Sequence, residues 1–310
     1  MITIGYFPGC SLLGTAREYD ESLRAIAPKI GIELVEIPDW NCCGATAAHS
    51  LNHTLATALP ARILALAEKE NLEEILVPCA ACYNRLVMAQ HELMSNEPLC
   101  KKVSDIIELD VKGTARPINI LEALMKTSSN GLAQNISKPF NYTVACYYGC
   151  LLVRPPKVLQ FDRAEDPQIM DEVMKKIGAV PIDWAYKTEC CGAGFSVSKT
   201  DIVSKLSGKI IKDAVTRGAE TIIVACPMCH SNLDMRRKDI NQYNDSRYII
   251  PVMYITQAIG LALGIDKKKL GLHRHIIPVT LPVKEKTTGK TQPALAVSER
   301  SASGGKTEVE

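Results

Sequence analysis

The chain carries one run of landmarks twice, in the same order. "YFPGCSLL" (Tyr6 to Leu13) resembles "YYGCLLV" (Tyr147 to Val153), "PDWNCCGA" resembles "IDWAYKTECCGAG", "EEILVPCAACYNRL" resembles "ETIIVACPMCHSNL", and "PINILEAL" resembles "PVMYITQAI". A repeat of this kind is one structural unit used twice, so the fold of one half dictates the fold of the other. The first copy places Cys10, then 31 residues, Cys42-Cys43, then 35 residues, then Cys79-x-x-Cys82. The second places Cys150, 39 residues, Cys190-Cys191, 34 residues, and Cys226-x-x-Cys229. Ten of the twelve cysteines belong to these two sets. Cys100 and Cys146 stand outside them and read as small buried or half-buried hydrophobes.

Periodicity assigns the elements within each copy. "ITIGYF" and "YTVACYY" are β-rich runs that each lead straight into a Gly-Cys turn. Thr15-x-x-Glu18 predicts a capping box at the start of a helix through "YDESLRAIAPKIG", with Gly31 as its C-cap. "IELVEI" reads as a second strand, with the adjacent cysteines in the loop after it. A helical region from Thr46 to Asn71 follows, with Leu55, Leu59, Ile63 and Leu66 at helical spacing, before the strand "EEILVP" delivers Cys79. In the second copy Asp166 to Gly178 reads as helix, "AVPID" as strand, Thr200 to Gly218 as helix and "ETIIVA" as strand. Such alternation predicts an α/β fold: two tandem homologous α/β domains, each with a small mainly parallel sheet flanked by helices, with ligands outside the carboxyl ends of the strands. The first domain is expected over residues 1–130 and the second over 140–279. The polar, turn-rich "SSNGLAQNISKP" links them, and the tail 280–310, poor in large apolar residues, is expected to be disordered.

A chain of 310 residues buries a sufficient core without disulfides or metals, so stability does not demand the cysteines. No positively charged segment leads into a long apolar stretch at the N-terminus, and the expectation is a cytoplasmic protein, where thiols stay reduced and serve metal or redox chemistry. Thirty-six basic residues against 34 acidic ones, with no Lys/Arg-rich patch before the C-terminal tail, give no nucleic-acid footprint. The uncharged stretch from Tyr248 to Ile265 is just long enough to be weighed as a membrane span. Pro251, Thr256, Gln257 and Gly260 divide it into a strand and a helix, and its first-half counterpart carries Glu122, so it reads as buried and not as a span.

Cys-x-x-Cys with two further thiolates makes a tetrahedral zinc site, but each set has one thiol too many. A cubane cluster also takes four, and no ferredoxin-type run is present. Adjacent residues send their side chains in diverging directions, so Cys42 and Cys43 reach two metal atoms more easily than one, which favours a multinuclear iron–sulfur site over zinc. Gly44 and Gly192 read either as room for close backbone approach or as plain turns.

From Tyr6 to about His275 the repeated pattern resembles the tandem CCG domain of the B subunit of heterodisulfide reductase and its relatives. The resemblance implies two noncubane 4Fe-4S clusters, one held by Cys10, Cys42, Cys43, Cys79 and Cys82, the other by Cys150, Cys190, Cys191, Cys226 and Cys229. It implies reduction of a small-molecule disulfide, each cluster giving one of the two electrons. It also implies electron supply from a protein like the family's small C subunit, with cubane clusters, and from a flavoprotein like its A subunit. Relatives linked to lactate, glycolate, glycerol-3-phosphate and fumarate oxidoreductases use the same domain, which leaves an electron relay as the alternative; a zinc-stabilised binding module is a second. Trp40 and Trp184, ahead of the cysteine pairs, suit either shielding or core packing. His230 suits either proton donation or local hydrogen bonding, and Arg85, Arg154 and Arg236 are candidates for an anionic substrate group. His49 and His53, four apart, lack a third ligand.

Overall fold

The structure is a computed structural model that describes residues 1–45, 48–127 and 132–282. The first half runs β1 (Ile2–Tyr6), α1 (Gly9–Leu13), α2 (Arg17–Ile26), β2 (Ile32–Glu36), α3 (Ala48–Leu51), α4 (His53–Lys69), β3 (Glu74–Leu76), α5 (Ala80–Ser95), α6 (Glu97–Ile107), β4 (Arg116–Ile118) and α7 (Ile120–Thr127). The second runs β5 (Thr143–Tyr147), α8 (Ile169–Lys176), β6 (Val180–Pro181), α9 (Thr200–Thr216), β7 (Thr221–Val224), α10 (Pro227–His230), α11 (Arg237–Tyr243), β8 (Val252–Tyr254) and α12 (Ile255–Ala262). A π-helical turn, Ser231–Met235, separates α10 from α11. Each half forms a four-stranded, all-parallel sheet, in the orders β2-β1-β3-β4 and β6-β5-β7-β8. The two α/β units therefore share one topology, as the repeat predicts.

Parallel strands with helices on both faces are buried on both sides. The whole of β7 and β8 and most of β5 are buried. Pro117 and Pro181 sit in the edge strands β4 and β6, where a missing N–H costs no ladder bond on the open side. The strand expected over "AVPID" is limited to Val180–Pro181, with one further bond to β5 from the Ile182 N–H to the Val144 carbonyl at 2.9 Å. The stretch Tyr248 to Ile265 divides as predicted, into the buried β8 and the buried α12. Among the described residues no helix is long and apolar enough to cross a membrane.

The capping box does not form. Helix α2 starts at Arg17 behind Ala16, with no side-chain cap, and Glu18 is buried. Gly31 does take the left-handed C-cap conformation, φ 81°, after a short 3₁₀ turn. Residues 46 and 47 of the expected helical region, the His49 side chain, and the tail from 283 lie outside the described residues.

The two halves meet through α2 and α12. Ser22 Oγ and Thr256 Oγ1 lie 2.7 Å apart, and the rings of Tyr19 and Tyr254 stack at 4.1 Å and 11°. Asn84 of α5 donates to the carbonyls of Leu151 and Arg154, at 3.3 and 2.7 Å. Residues 128–131 of the linker lie outside the described residues; beyond them the Asn135 amide bonds the Lys29 carbonyl, while Ser137 N–H bonds that of Ala262, so residues 135–137 are fastened to both halves. Buried residues of both halves form one hydrophobic core.

Candidate functional site

Every repeated cysteine lies at the carboxyl edge of its sheet. Cys10 follows β1, Cys42 and Cys43 follow β2, and Cys79 and Cys82 open α5 after β3; Cys150, Cys190, Cys191, Cys226 and Cys229 hold the matching places around β5, β6 and β7. In the first set Cys43 and Cys82 have their sulfurs 2.8 Å apart. The contact with Cys82 pulls Cys43 down, helped by the Ala45 N–H, while the same contact, a second one with Cys79, and burial push Cys82 well up. Cys10 is pushed up by burial and by the charges of Cys42, Cys43 and Cys79 beside it. In the second set the Cys150 thiol donates to Cys190 and, with the N–H groups of Gly192 and Ala193, pulls it down to about 6, leaving Cys150 far above its usual range. Cys191 and Cys229 sulfurs lie 3.8 Å apart. Cys226 is pulled down to about 7, first by the Cys229 thiol, then by the N–H groups of Cys229, Met228 and Ala80.

Five thiols per set, with no carboxylate or imidazole among them, make a soft donor group suited to iron–sulfur chemistry. Backbone N–H groups aimed at sulfur stabilise the thiolate form that a metal needs. The glycines ahead of the first cysteines keep the space among the sulfurs free. A Cβ on Gly149 would stand 2.9 Å from Cys229 Sγ, and one on Gly9 would stand 3.4 Å from Cys82 Sγ, and both glycines have positive φ, 70° and 63°. Gly44 and Gly192 act differently from the close-approach reading. Their left-handed backbones turn the missing Cβ toward Leu59 and Ala48, and toward Val203 and Leu206, so they let the loops pack on α4 and α9.

The two sets face each other. The Ala80 N–H, next to Cys79, reaches the Cys226 sulfur across the interface. Tyr19 and Tyr254 each feel the charges of both Cys79 and Cys226. Cys10, Cys42 and Cys190 are exposed, so both sets keep an open side.

The surroundings sort the remaining candidates. Trp184 is buried, donates to the Cys146 carbonyl at 3.1 Å, and meets Tyr147 edge-on at 6.4 Å; Trp40 meets Phe7 edge-on at 5.4 Å. Both indoles thus pack at the roots of the first-cysteine turns. Arg154 is paired with Glu165 and Arg236 with Asp239, while Arg85 bonds Asn84. Cys146 is buried in β5, and half-buried Cys100 donates to the Val111 carbonyl.

His230 belongs to a buried network that the spacing of the sequence does not reveal. Its Nε2 lies 3.3 Å from the Val252 carbonyl and 3.2 Å from His275 Nδ1, and His275 Nε2 meets the Gln257 amide. Asp234 accepts from the Ile276 and Ile277 amides at 2.8 and 3.1 Å. Ligand atoms of His230, Asp234 and His275 fall within 4.8 Å of one another, each already hydrogen-bonded. Burial keeps both imidazoles neutral, with His275 pushed down to about 4. Lys187 is a second such element. Its carbonyl accepts from Tyr148 and Gly149 N–H at 2.9 and 3.1 Å, tying the Cys150 turn to the Cys190 loop, and its buried ammonium pairs with Asp171 at 3.3 Å.

Comparison with known proteins agrees with this arrangement. The cysteine-rich domain family CCG matches residues 4–87 and 144–234. The chain is 33% identical over 282 residues to the 8-methylmenaquinol:fumarate reductase membrane anchor subunit of Wolinella succinogenes, covering 89% of this chain and 97% of that one. It is 31% identical over 285 residues to the B subunit of the ferredoxin/F420H2-dependent CoB-CoM heterodisulfide reductase of Methanosarcina acetivorans, covering 89% and 94%. A hypothetical protein from Helicobacter pylori shares the fold, with a TM-score of 0.72 at 15% identity over 90% of this chain and 52% of that one. With both cysteine-rich units matched and 89% of the chain aligned to a B subunit at 31% identity, the chain belongs to the heterodisulfide reductase B-subunit family of tandem CCG proteins.

Proposed function

We propose that this chain is an iron–sulfur subunit that delivers two electrons to a small-molecule disulfide within a complex of the heterodisulfide reductase type. The observation that carries the proposal is the pairing: two complete five-cysteine sets meet across one interface, with Ala80 N–H reaching Cys226. Cys10, Cys42, Cys43, Cys79 and Cys82 would hold one noncubane 4Fe-4S cluster, and Cys150, Cys190, Cys191, Cys226 and Cys229 the other, in the two CCG units 1–130 and 140–279. Each cluster, when bound, would supply one electron and the Lewis acidity of its iron.

The chain's own residues do the rest. The N–H groups of Gly192, Ala193 and Ala80 hold negative charge on sulfur. Phe7 with Trp40, and Tyr147 with Trp184, exclude water behind the first-cysteine turns. The open side at Cys10, Cys42 and Cys190 admits substrate. Electrons would come from a protein like the family's C subunit, with cubane clusters, and from a flavoprotein like its A subunit, in the cytoplasm. A relay without disulfide reduction is the second reading, favoured by the relative from a quinol:fumarate reductase.

Anaerobic reconstitution tests the assignment: iron and acid-labile sulfide are expected at about eight each per chain, the content of two four-iron clusters. Reduced viologen is then assayed against a panel of disulfides, with appearance of both thiols as the expected result. Intact clusters that reduce no disulfide yet exchange electrons with a quinone would establish the relay. Zinc in place of iron would end both readings.

A further inference from the structure

Tyr254 stands at the end of β8, fully buried, and its Oη is the one buried side-chain polar atom without a hydrogen-bond partner among the described residues. Its ring is held on both faces, by Tyr19 of the first half at 4.1 Å and by His230 at 4.4 Å, with interplanar angles of 11° and 20°. The phenol therefore cannot swing away to find a partner. Its stacking neighbours are already engaged, Tyr19 Oη on the Ala225 carbonyl at 3.3 Å and His230 Nε2 on that of Val252.

Comparing the two halves shows that neither capping nor packing requires this hydroxyl. The strand registers Leu76 with Ile118 and Ile223 with Met253 make Asn119 the counterpart of Tyr254. Asn119 caps α7: its Oδ1 accepts from Leu121 and Glu122 N–H, and its own N–H goes to Glu122 Oε2 at 2.9 Å. Tyr254 N–H goes likewise to Gln257 Oε1 at 2.9 Å, a bond that its backbone makes without the hydroxyl. Phenylalanine would pack and cap equally well, yet a hydroxyl is present and left without an acceptor. Buried donors are rarely left so, and each one calls for a physical reason, such as strain, a role in redox chemistry, or a water or ion that meets it.

The charges acting on that oxygen are Glu18 first, then Tyr19, Cys226 and Cys79. Glu18 is turned to His230 Nδ1 at 3.8 Å, whereas Tyr254 ends β8 beside Val224 of β7, on the edge that delivers Cys226 and faces the turn of Cys79. We infer that the Tyr254 hydroxyl donates a hydrogen bond to a sulfur anion held between the two five-cysteine sets. This inference rests on the reading of those sets as the sulfur centre. The acceptor is either a sulfur of a bound cluster or a sulfur of the substrate, and Tyr254 acts as a positioning and charge-stabilising donor. Hydrogen bonds to sulfur favour the reduced, more negative state, so losing one lowers the reduction potential.

The test uses the full chain loaded with iron and sulfide, as wild type, Y254F and Y19F. Iron content of the wild type comes first, because its absence would sink the cluster reading independently of Tyr254. With iron present, Y254F should keep its iron and move one cluster to a more negative midpoint in a potentiometric EPR titration. It should also lose a deuterium-exchangeable proton coupling. If the acceptor is a cluster sulfur, the change is present without ligand; if it is a substrate sulfur, the change emerges only with a small thiol bound. Y19F, whose hydroxyl already has a carbonyl partner, should match wild type in both readouts. Iron-replete Y254F that matches wild type with and without thiol would overturn the donor role while leaving the clusters in place.

Discussion

Glu18 shows how much chemistry one side chain takes on when it is drawn into an interface. Burial raises its carboxyl to about 7, with Asp234 opposing ionisation and its own N–H favouring it, and its Oε1 lies 3.8 Å from His230 Nδ1. The usual carboxyl value is 4.5, so between about 4.5 and 7 the folded chain holds a proton that the unfolded chain has released. Stability from this group is complete below that window and is lost as pH rises through it, by up to about 3 kcal/mol. Glutamine carries no such charge. E18Q should therefore gain stability relative to wild type between pH 5 and pH 8, measured as the difference in denaturation midpoint at matched iron content. A constant difference across that range would show that Glu18 ionises freely in the fold. In the sequence Thr15-x-x-Glu18 reads as a cap, because spacing sees only neighbours along the chain. The second half, brought near by folding, recruits Glu18 instead.

Among the elements, the turns that deliver the cysteines are the most specialised. Gly31 and Gly149 share a left-handed backbone, φ 81° and 70°, but a Cβ at Gly31 meets nothing within 4 Å, whereas one at Gly149 runs into Cys229 Sγ. G31A should lose only the backbone term, about 1 kcal/mol. G149A should lose more, and should lower bound iron as well, because the methyl takes space the second set of sulfurs needs. Parallel measurement of stability and iron content separates the two, and equal iron in both variants would refute the cradle role of Gly149. Strand and helix identities were legible from period, yet extents were not: "AVPID" shrinks to two residues at a proline edge, and Asp166 to Gly178 shortens to Ile169–Lys176. The π-helical turn after Cys229, which brings Asp234 beneath Ile276 and Ile277, leaves no mark in the apolar spacing.

At the scale of the whole molecule, the halves are coupled through one core and the α2–α12 contact. The chain has two tryptophans, Trp40 in the first half and Trp184 in the second, so W40F and W184F each leave a fluorophore that reports on one half. If the halves unfold as a unit, the denaturant transitions of the two variants, normalised for their own stability, coincide with the loss of far-UV circular dichroism within each variant. A fluorescence transition separated from the circular dichroism transition in either variant would mean that the halves unfold independently.

By itself the sequence determined the α/β class, the duplication and the membership of each cysteine set. Strand and helix periods and short-range turns are local signals, and duplication doubles them. Only the tertiary structure decided that the two sets face one another across Ala80 and Cys226, that Glu18 is buried, and that Tyr254 stands between the halves with its hydroxyl unsatisfied. Two of these features involve residues that differ between the copies, Ala80 against Pro227 and Tyr254 against Asn119. A repeat reveals what its copies share, whereas the contact between them depends on where they differ.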